Sequence, residues 1–156
     1  MINESCELFL RKATSQDRDL LFNWANEPLT RKNSFNSDLI EYETHCEWFS
    51  EMMSNNNQYQ YILVCKNADL VGTVDVGQIR VDVDEGIGKI SYSIDEVYRG
   101  YGFGRRVLCL IKSSIKKDCP NIQKLIGEVK PNNIASIKSF MEEGYEEKHR
   151  TYEVVL

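Results

Sequence analysis

Apolar and polar positions alternate along this chain with two different periods, and the switches between them mark the elements. Leu8-Phe9-Leu10 followed by Arg11-Lys12-Ala13 predicts a first strand. Thr14 or Ser15 can then cap a helix that buries Leu20, Leu21 and Trp24. Pro28 ends or follows that helix, and the polar run from Arg31 to Ser37 predicts a loop. From roughly Tyr42 to Met53, the residues His45, Trp48, Phe49 and Met52 recur at the spacing of one helix face, and Ser54-Asn55-Asn56-Asn57 closes that helix. Tyr59 to Val64 and Leu70 to Val76, joined at Asn67-Ala68-Asp69, carry a hairpin signal. A second acidic turn, around Asp82 to Gly86, leads into the alternating strand Ile90-Ser91-Tyr92-Ser93-Ile94. Phe103, Val107, Leu108, Ile111 and Ile115 then return to helical spacing. Lys124 to Val129 predicts a fifth strand, and a helix starting near Asn132 or Asn133 carries Ile134, Ile137, Phe140 and Met141. Tyr145 to Leu156 predicts a closing hairpin. The order is α/β in the α+β sense: a mixed sheet with an antiparallel meander first and helix crossovers later.

One junction stands out. Between the Ile90–Ile94 strand and its helix lies Tyr98-Arg99-Gly100-Tyr101-Gly102-Phe103-Gly104-Arg105-Arg106. A glycine-rich turn opening a helix aims backbone N–H groups and the helix dipole at one spot, which suits phosphate and above all pyrophosphate. A P-loop would need a Lys-Ser/Thr pair after the last glycine, where Arg105-Arg106 stand. The dinucleotide fingerprint needs G-x-G-x-x-G after the first strand of a βαβ unit, whereas this run is G-x-G-x-G behind a meander. An ordinary strand-to-helix turn uses one glycine rather than three.

Composition narrows the setting. The 156 residues predict one domain spanning 1–156, and 42% hydrophobic with 28% charged residues is ordinary for a globular chain. A net charge of −5 speaks against a general nucleic-acid binder. The scattered Cys6, Cys46, Cys65, Cys109 and Cys119 form no metal-ligand pair, so neither a metal site nor a disulfide framework is expected. With no signal-peptide pattern and no long apolar run, the expected location is the cytoplasm, away from membranes.

Arg99-Gly100-Tyr101-Gly102-Phe103-Gly104 resembles the R/Q-x-x-G-x-G/A loop of the GCN5-related N-acetyltransferases (GNAT). A second block agrees: Glu128-Val129-Lys130-Pro131-Asn132-Asn133-Ile134-Ala135-Ser136, running on to Phe140 and Gly144-Tyr145, is similar to that family's fifth strand and following helix. The resemblance covers roughly Leu8 to Leu156. It implies a sheet splayed between strands 4 and 5, flanking helices, and acetyl-CoA as co-substrate with no metal. It places the pyrophosphate on Arg99, Gly100, Tyr101, Gly102, Phe103 and Gly104, with Arg105 near a phosphate. It sets the pantetheine against the strand end at Tyr92 and Ile94, and against Asn133 and Ser136.

Acetyl transfer from a thioester to an amine needs a proton acceptor for the amine and a donor for the departing thiolate. The resemblance offers Glu128 as base. The family's usual acid tyrosine corresponds to Phe140, so Tyr92, Tyr98, Tyr145 or water must substitute; Tyr92 is the candidate carried forward. Ahead of the meander, Trp24-Ala25-Asn26-Glu27-Pro28, Arg31, Ser34-Phe35, Ile40 and His45 through Trp48-Phe49 resemble the subgroup acting on nucleotide-linked amino sugars, such as the PseH-like enzymes. That resemblance makes Asn26, Arg31 and His45 acceptor candidates and a sugar nucleotide the expected partner. Protein N-terminal acetylation of the ribosomal-protein alanine type, and a non-catalytic CoA-binding module, are the alternatives. A homodimer is left open.

Overall fold

The computed structural model describes residues 2–3, 5–66 and 72–156. Five strands form one sheet in chain order: β1 (Glu7–Lys12), β2 (Gln58–Lys66), β3 (Val74–Asp84), β4 (Ile87–Ile94) and β5 (Lys124–Gly127). The first four pair antiparallel, and β5 pairs parallel with β4. Three helices precede β2, namely α1 (Arg18–Ala25), α2 (Pro28–Asn33) and α3 (Tyr42–Ser54). Two more follow the meander: α4 (Phe103–Asp118) and α5 (Ile134–Glu142).

Each face of the sheet finds its cover through the two-residue period of the strands. Leu63 and Cys65 of β2, Val76, Ile79 and Val81 of β3 and Ile90 of β4 pack under the Phe103, Val107, Leu108, Ile111 and Ile115 stripe of α4. Ile62 and Val64 point the other way, against Leu21 and Trp24 of α1 and Phe49 and Met52 of α3. β2 is therefore covered on both faces and reads as an unbroken apolar run rather than an alternation. Thr14 and Asp17 form a capping box on a short 3-10 turn that leads into α1. The buried Asp17 carboxylate is held by both terminal nitrogens of Arg11, whose Nη2 also reaches Asp75. The tight β3–β4 turn has Glu85 and Gly86 at φ 46° and 79°, the left-handed pair a two-residue hairpin needs.

Three expectations change. Pro28 follows α1 as expected and also starts α2, because a proline at N1 gives up an amide that has no partner there anyway, and Glu27 caps the turn with its carboxylate. Arg31 to Asn33 are thus helical, and only the end of the Arg31–Ser37 segment is loop. β5 stops at Gly127, which leaves Glu128 and Val129 outside the strand. Residues 145–156 form no hairpin: among the described residues no strand forms there, and Tyr152, Val154 and Val155 are exposed. The loop expected at Asn67-Ala68-Asp69 lies outside the described residues, as do Leu70 and Val71 of the strand expected to follow. Among the described residues no helix is long and apolar enough to cross a membrane.

β4 and β5 stay paired for only four steps, from Ile87–Lys124 to Ile90–Gly127, and then diverge. The Cζ end of the Phe140 ring of α5 points at Gly127, and a Cβ at that position would overlap the ring. Gly127→Ala is expected to cost ~2 kcal/mol through overpacking, a fall in melting temperature of roughly 4–8 °C. Calorimetry of the two proteins checks this, and an unchanged melting temperature would refute the close packing of ring on strand.

Candidate active site

The divergence of β4 and β5 opens a cavity of about 1020 Å³ that passes from one face of the sheet to the other. Its two ends differ in chemistry. On the α4–α5 side it is lined by Arg99, Gly100, Gly102, Phe103, Gly104, Arg105, Asn133 and Ser136. On the α1–α3 side it meets Trp24, Leu29, Arg31, Phe35, His45 and Trp48, over a floor of Gln60, Gln78, Arg80, Lys89, Ser91 and Ser93. Strand alternation explains the split, since Ser91 and Ser93 face the second end while Tyr92 faces the first.

The glycine loop is built for an anion. Gly100 and Gly102 sit at φ 87° and 75°, and a Cβ on either would meet nothing, so these glycines serve the backbone path and not a tight contact. Gly102 caps α4 without a side chain, which leaves the first-turn N–H groups of α4 and its positive dipole end facing the cavity. Beyond Ile90, β4 has no partner on its β5 side, so the edge at Ser91–Ile94 offers backbone groups to an extended ligand carrying amides. An anionic group on an extended, amide-bearing arm fits this end.

Arg99 does not point into the loop it introduces. Its Nη2 lies 2.6 Å from Glu27 Oε2 and its Nε donates to the Ile94 carbonyl at 3.0 Å. The same Glu27 carboxylate accepts from the amides of Leu29 and Thr30 at the start of α2. The Arg99 guanidinium, with those amides, holds the Glu27 carboxyl down at about 2 from the ordinary 4.5, against the opposing effect of its own burial. A second tie, from Trp24 Nε1 to Asp95 Oδ2 at 2.7 Å, joins α1 to the same β4–α4 connection.

At the throat of the cavity the Tyr92 hydroxyl lies 2.9 Å from Ser136 Oγ. Burial raises the Tyr92 phenol above its ordinary value, partly offset by Ser136 and Ser139, so it remains protonated through the neutral range. Its ring meets Phe140 edge to face at 5.9 Å. Glu128 sits just past β5 on the opposite face, with Oε1 2.8 Å from Lys89 Nζ. Tyr145 packs edge-on to Phe140 at 4.9 Å, and its hydroxyl is buried without a partner. Burial first, and then the nearby Glu143, push that phenol up to about 12. Tyr145 lies outside the cavity lining, whereas Tyr98 is part of it.

A family model of the acetyltransferase (GNAT) domain matches residues 7–146. The chain belongs to the GNAT acetyltransferase family. An uncharacterized protein of Methanocaldococcus jannaschii is 28% identical to this GNAT chain over 149 residues, which are 92% of the chain and 29% of that protein. The chain therefore spans under a third of the length of that relative. A crystal structure of a domain from M. jannaschii DSM 2661 superposes with a TM-score of 0.81 at 24% identity, over 96% of this chain and 94% of the other. The spermidine N-acetyltransferase from Vibrio cholerae, in complex with CoA and spermine, does so with a TM-score of 0.77 at 17% identity, over 96% and 87%. The mixed sheet, splayed after β4, and its flanking helices are the GNAT fold.

The GNAT chain brings most of the residues singled out from sequence to one cavity, in different capacities. Ile94, Arg99, Gly100, Gly102, Phe103, Gly104, Arg105, Asn133 and Ser136 line its loop end, while Tyr101 is outside the lining and packs against Phe103 at 5.9 Å. Asn133 caps α5 by accepting from the Ser136 amide. Asn26 lies outside the lining, and its amide exchanges two hydrogen bonds with the Ile40 backbone. The Arg31 guanidinium is spent on the carbonyls of Ala25, Asn36 and Asp38 and on Ser34 Oγ. His45 is buried, with Nε2 donating to the Arg18 carbonyl at 2.7 Å, which fixes the proton on that nitrogen. These three residues shape the wall. The cavity groups that sequence reading missed are Gln60, Gln78, Arg80 and Lys89, each placed by strand register rather than by any local motif. Among the described residues no group of three or more His, Cys, Asp or Glu could hold a metal ion.

The Glu27 shift has a sign that calorimetry can read. A carboxyl depressed in the folded state stabilises fully above its unfolded value and loses that contribution as pH falls through the folded one. The stability gap between the native chain and Glu27→Gln is therefore expected to be constant above about pH 5 and to close between about 4.5 and about 2. A gap that stays open at the acid end would show that the Glu27 charge is not what Arg99 holds.

Proposed function

We propose that this GNAT chain transfers an acetyl group from acetyl-CoA to a primary amine, and that the amine is carried by a nucleotide-linked amino sugar. The observation that carries the acceptor class is the charge of the cavity. At the acceptor end its lining holds Arg31, Arg80 and Lys89 against one carboxylate, Glu128. A polyamine or other polycation needs the reverse balance, because a lining with more cations than carboxylates disfavours it. An anionic diphosphate suits this lining. Arg80 adds a second feature, since its guanidinium stacks over the Trp48 ring at 5.1 Å while its Nε holds Asp82. Gln60, Gln78 and Ser93 form a hydrogen-bonded row across β2, β3 and β4, with Gln60 Nε2 to Gln78 Oε1 at 2.8 Å and Gln78 Nε2 to Ser93 Oγ at 3.2 Å. Such a row of amide and hydroxyl groups suits the hydroxyls of a sugar.

When bound, acetyl-CoA supplies an activated thioester. In this reading the α4 N-terminus and the loop amides from Arg99 to Gly104 hold the pyrophosphate, while the open β4 edge, with Asn133 and Ser136, orients the pantetheine. Glu128 stands on the acceptor face, beside Lys89, where it takes the proton lost by the attacking amine. Tyr92 stands on the opposite face with its proton in place, and it donates that proton to the departing sulfur. Ser136 keeps the Tyr92 hydroxyl turned toward the gap. Phe140, which has no proton to give, serves instead as the apolar wall that holds Tyr92 in place.

Thiol release from acetyl-CoA, followed against UDP-linked 4-amino sugars, spermidine and basic N-terminal peptides, tests the acceptor. Turnover is expected on the sugar nucleotides. Turnover confined to spermidine or to peptides would sink the acceptor reading while leaving the transfer chemistry intact. Arg80→Ala is expected to raise the KM for the sugar nucleotide about tenfold or more, the worth of one charged hydrogen bond, with the KM for acetyl-CoA unchanged. Tyr92→Phe is expected to lower kcat by about 10²-fold or more with both KM values little changed; an undiminished kcat would remove Tyr92 as the acid.

A further inference from the structure

The acceptor wall and the cofactor loop touch through one ion pair, and the geometry assigns that pair a task. We propose that Glu27, which caps the α2 helix of the acceptor wall, positions the cofactor loop, so that the helix facing one substrate is part of the binding site for the other. The inference rests on the reading of acetyl-CoA as donor and names a residue which that reading does not use.

The Glu27 carboxylate is shared between two structures far apart in sequence. Oε1 accepts from the Leu29 amide at 3.1 Å, and Oε2 from the Thr30 amide and hydroxyl at 3.0 Å each, which fixes the first turn of α2. Oε2 also takes Arg99 Nη2 at 2.6 Å, across 72 positions of chain. The guanidinium is then held at two further points, by Thr30 Oγ1 at 3.3 Å and by the Ile94 carbonyl at 3.0 Å. One planar group thus locks together the start of α2, the end of β4 and the first residue of the glycine loop. The pair is largely shielded, with the side chains 30% and 15% exposed for Arg99 and Glu27.

The loop needs such an anchor. Gly100 and Gly102 have no packing partners where a side chain would be, so the segment from Arg99 to Gly102 is held by the Tyr101 ring against Phe103 and by its two ends. At the far end α4 is buried in the core through Phe103 and Val107. At the near end Arg99 is the fixed point, and Glu27 is what fixes it. A loop that must close its amides around an anion binds best when it is already ordered, because the ordering cost is then not charged to the ligand. Glu27 is a positioning residue in this sense, acting on the anion site through Arg99 without touching the anion.

Isothermal titration of CoA into the native chain, Glu27→Gln, Arg99→Gln and the double variant tests this. Glutamine keeps an oxygen for the α2 cap and removes the charge that Arg99 needs. Glu27→Gln is expected to weaken CoA binding about five- to tenfold, as loss of one charge-assisted contact would, and to add nothing in the Arg99→Gln background. In steady state the KM for acetyl-CoA rises by the same factor while kcat stays within about twofold. Native CoA affinity in a folded Glu27→Gln protein overturns the proposal, and so does a loss of equal size in the Arg99→Gln background, which would trace to the α2 cap alone. If Glu27→Gln does not fold, Thr30→Val carries the test: removal of the hydroxyl that bridges the pair is expected to weaken CoA about twofold, and unchanged affinity overturns the proposal. A native chain that does not bind CoA would instead overturn the donor reading itself.

Discussion

The candidate site of this molecule depends on two strands that part company. β4 and β5 share four rungs of parallel ladder and then separate, just where Phe140 packs against Gly127. Phe140 occupies the space that a side chain at position 127 would need, so the ring wedges against β5 just where the strand ends. Past that point the β4 edge has no partner. In a folded protein an unpaired edge is usually covered or blunted; here it opens on a cavity of about 1020 Å³ whose walls come from every helix but α3's far end and α4's body.

The same divergence divides the chemistry. Because side chains alternate along β4, Tyr92 and Ile94 belong to the side of α4 and α5, while Lys89, Ser91 and Ser93 belong to the side of α1 to α3. A phenol and a carboxylate thus stand on opposite faces of one opening, Tyr92 with Ser136 on one and Glu128 with Lys89 on the other, the pair to which the proposed reaction gives the roles of acid and base. In the proposed mechanism the phenylalanine at position 140 is less of a loss than it looks from sequence, because its ring packs edge to face with Tyr92, whose hydroxyl the proposal makes the acid.

Helix α2 shows how tertiary context reassigned a segment. The polar residues after Pro28 suggest a loop, yet Glu27 caps the turn, and the Arg31 guanidinium is consumed in gathering the carbonyls that follow. Arg31 and Asn26 have the residue types of ligand contacts but spend their donors on the protein. Arg80 and Lys89 have no motif around them, and they reach the cavity only because β3 and β4 pair in the register that sets Arg80 opposite Ser91 and Asp82 opposite Lys89. Residue type named the chemistry available; geometry decided which groups were free to perform it.

The sequence by itself determined the alternation that makes β4 a two-faced strand, the apolar stripe of α4, the glycine loop between them and the membership of the GNAT family that the loop and the Asn133 block announce. These are local properties, written in spacings of two and of three to four residues and in the torsions that only glycine adopts freely. Tertiary structure alone decided where β5 stops, that residues 145–156 form no strand, and that Arg99 turns away from its own loop to hold Glu27. The first and last of these depend on groups 13 and 72 positions apart, Gly127 with Phe140 and Glu27 with Arg99, and no period along the chain encodes a meeting at that distance.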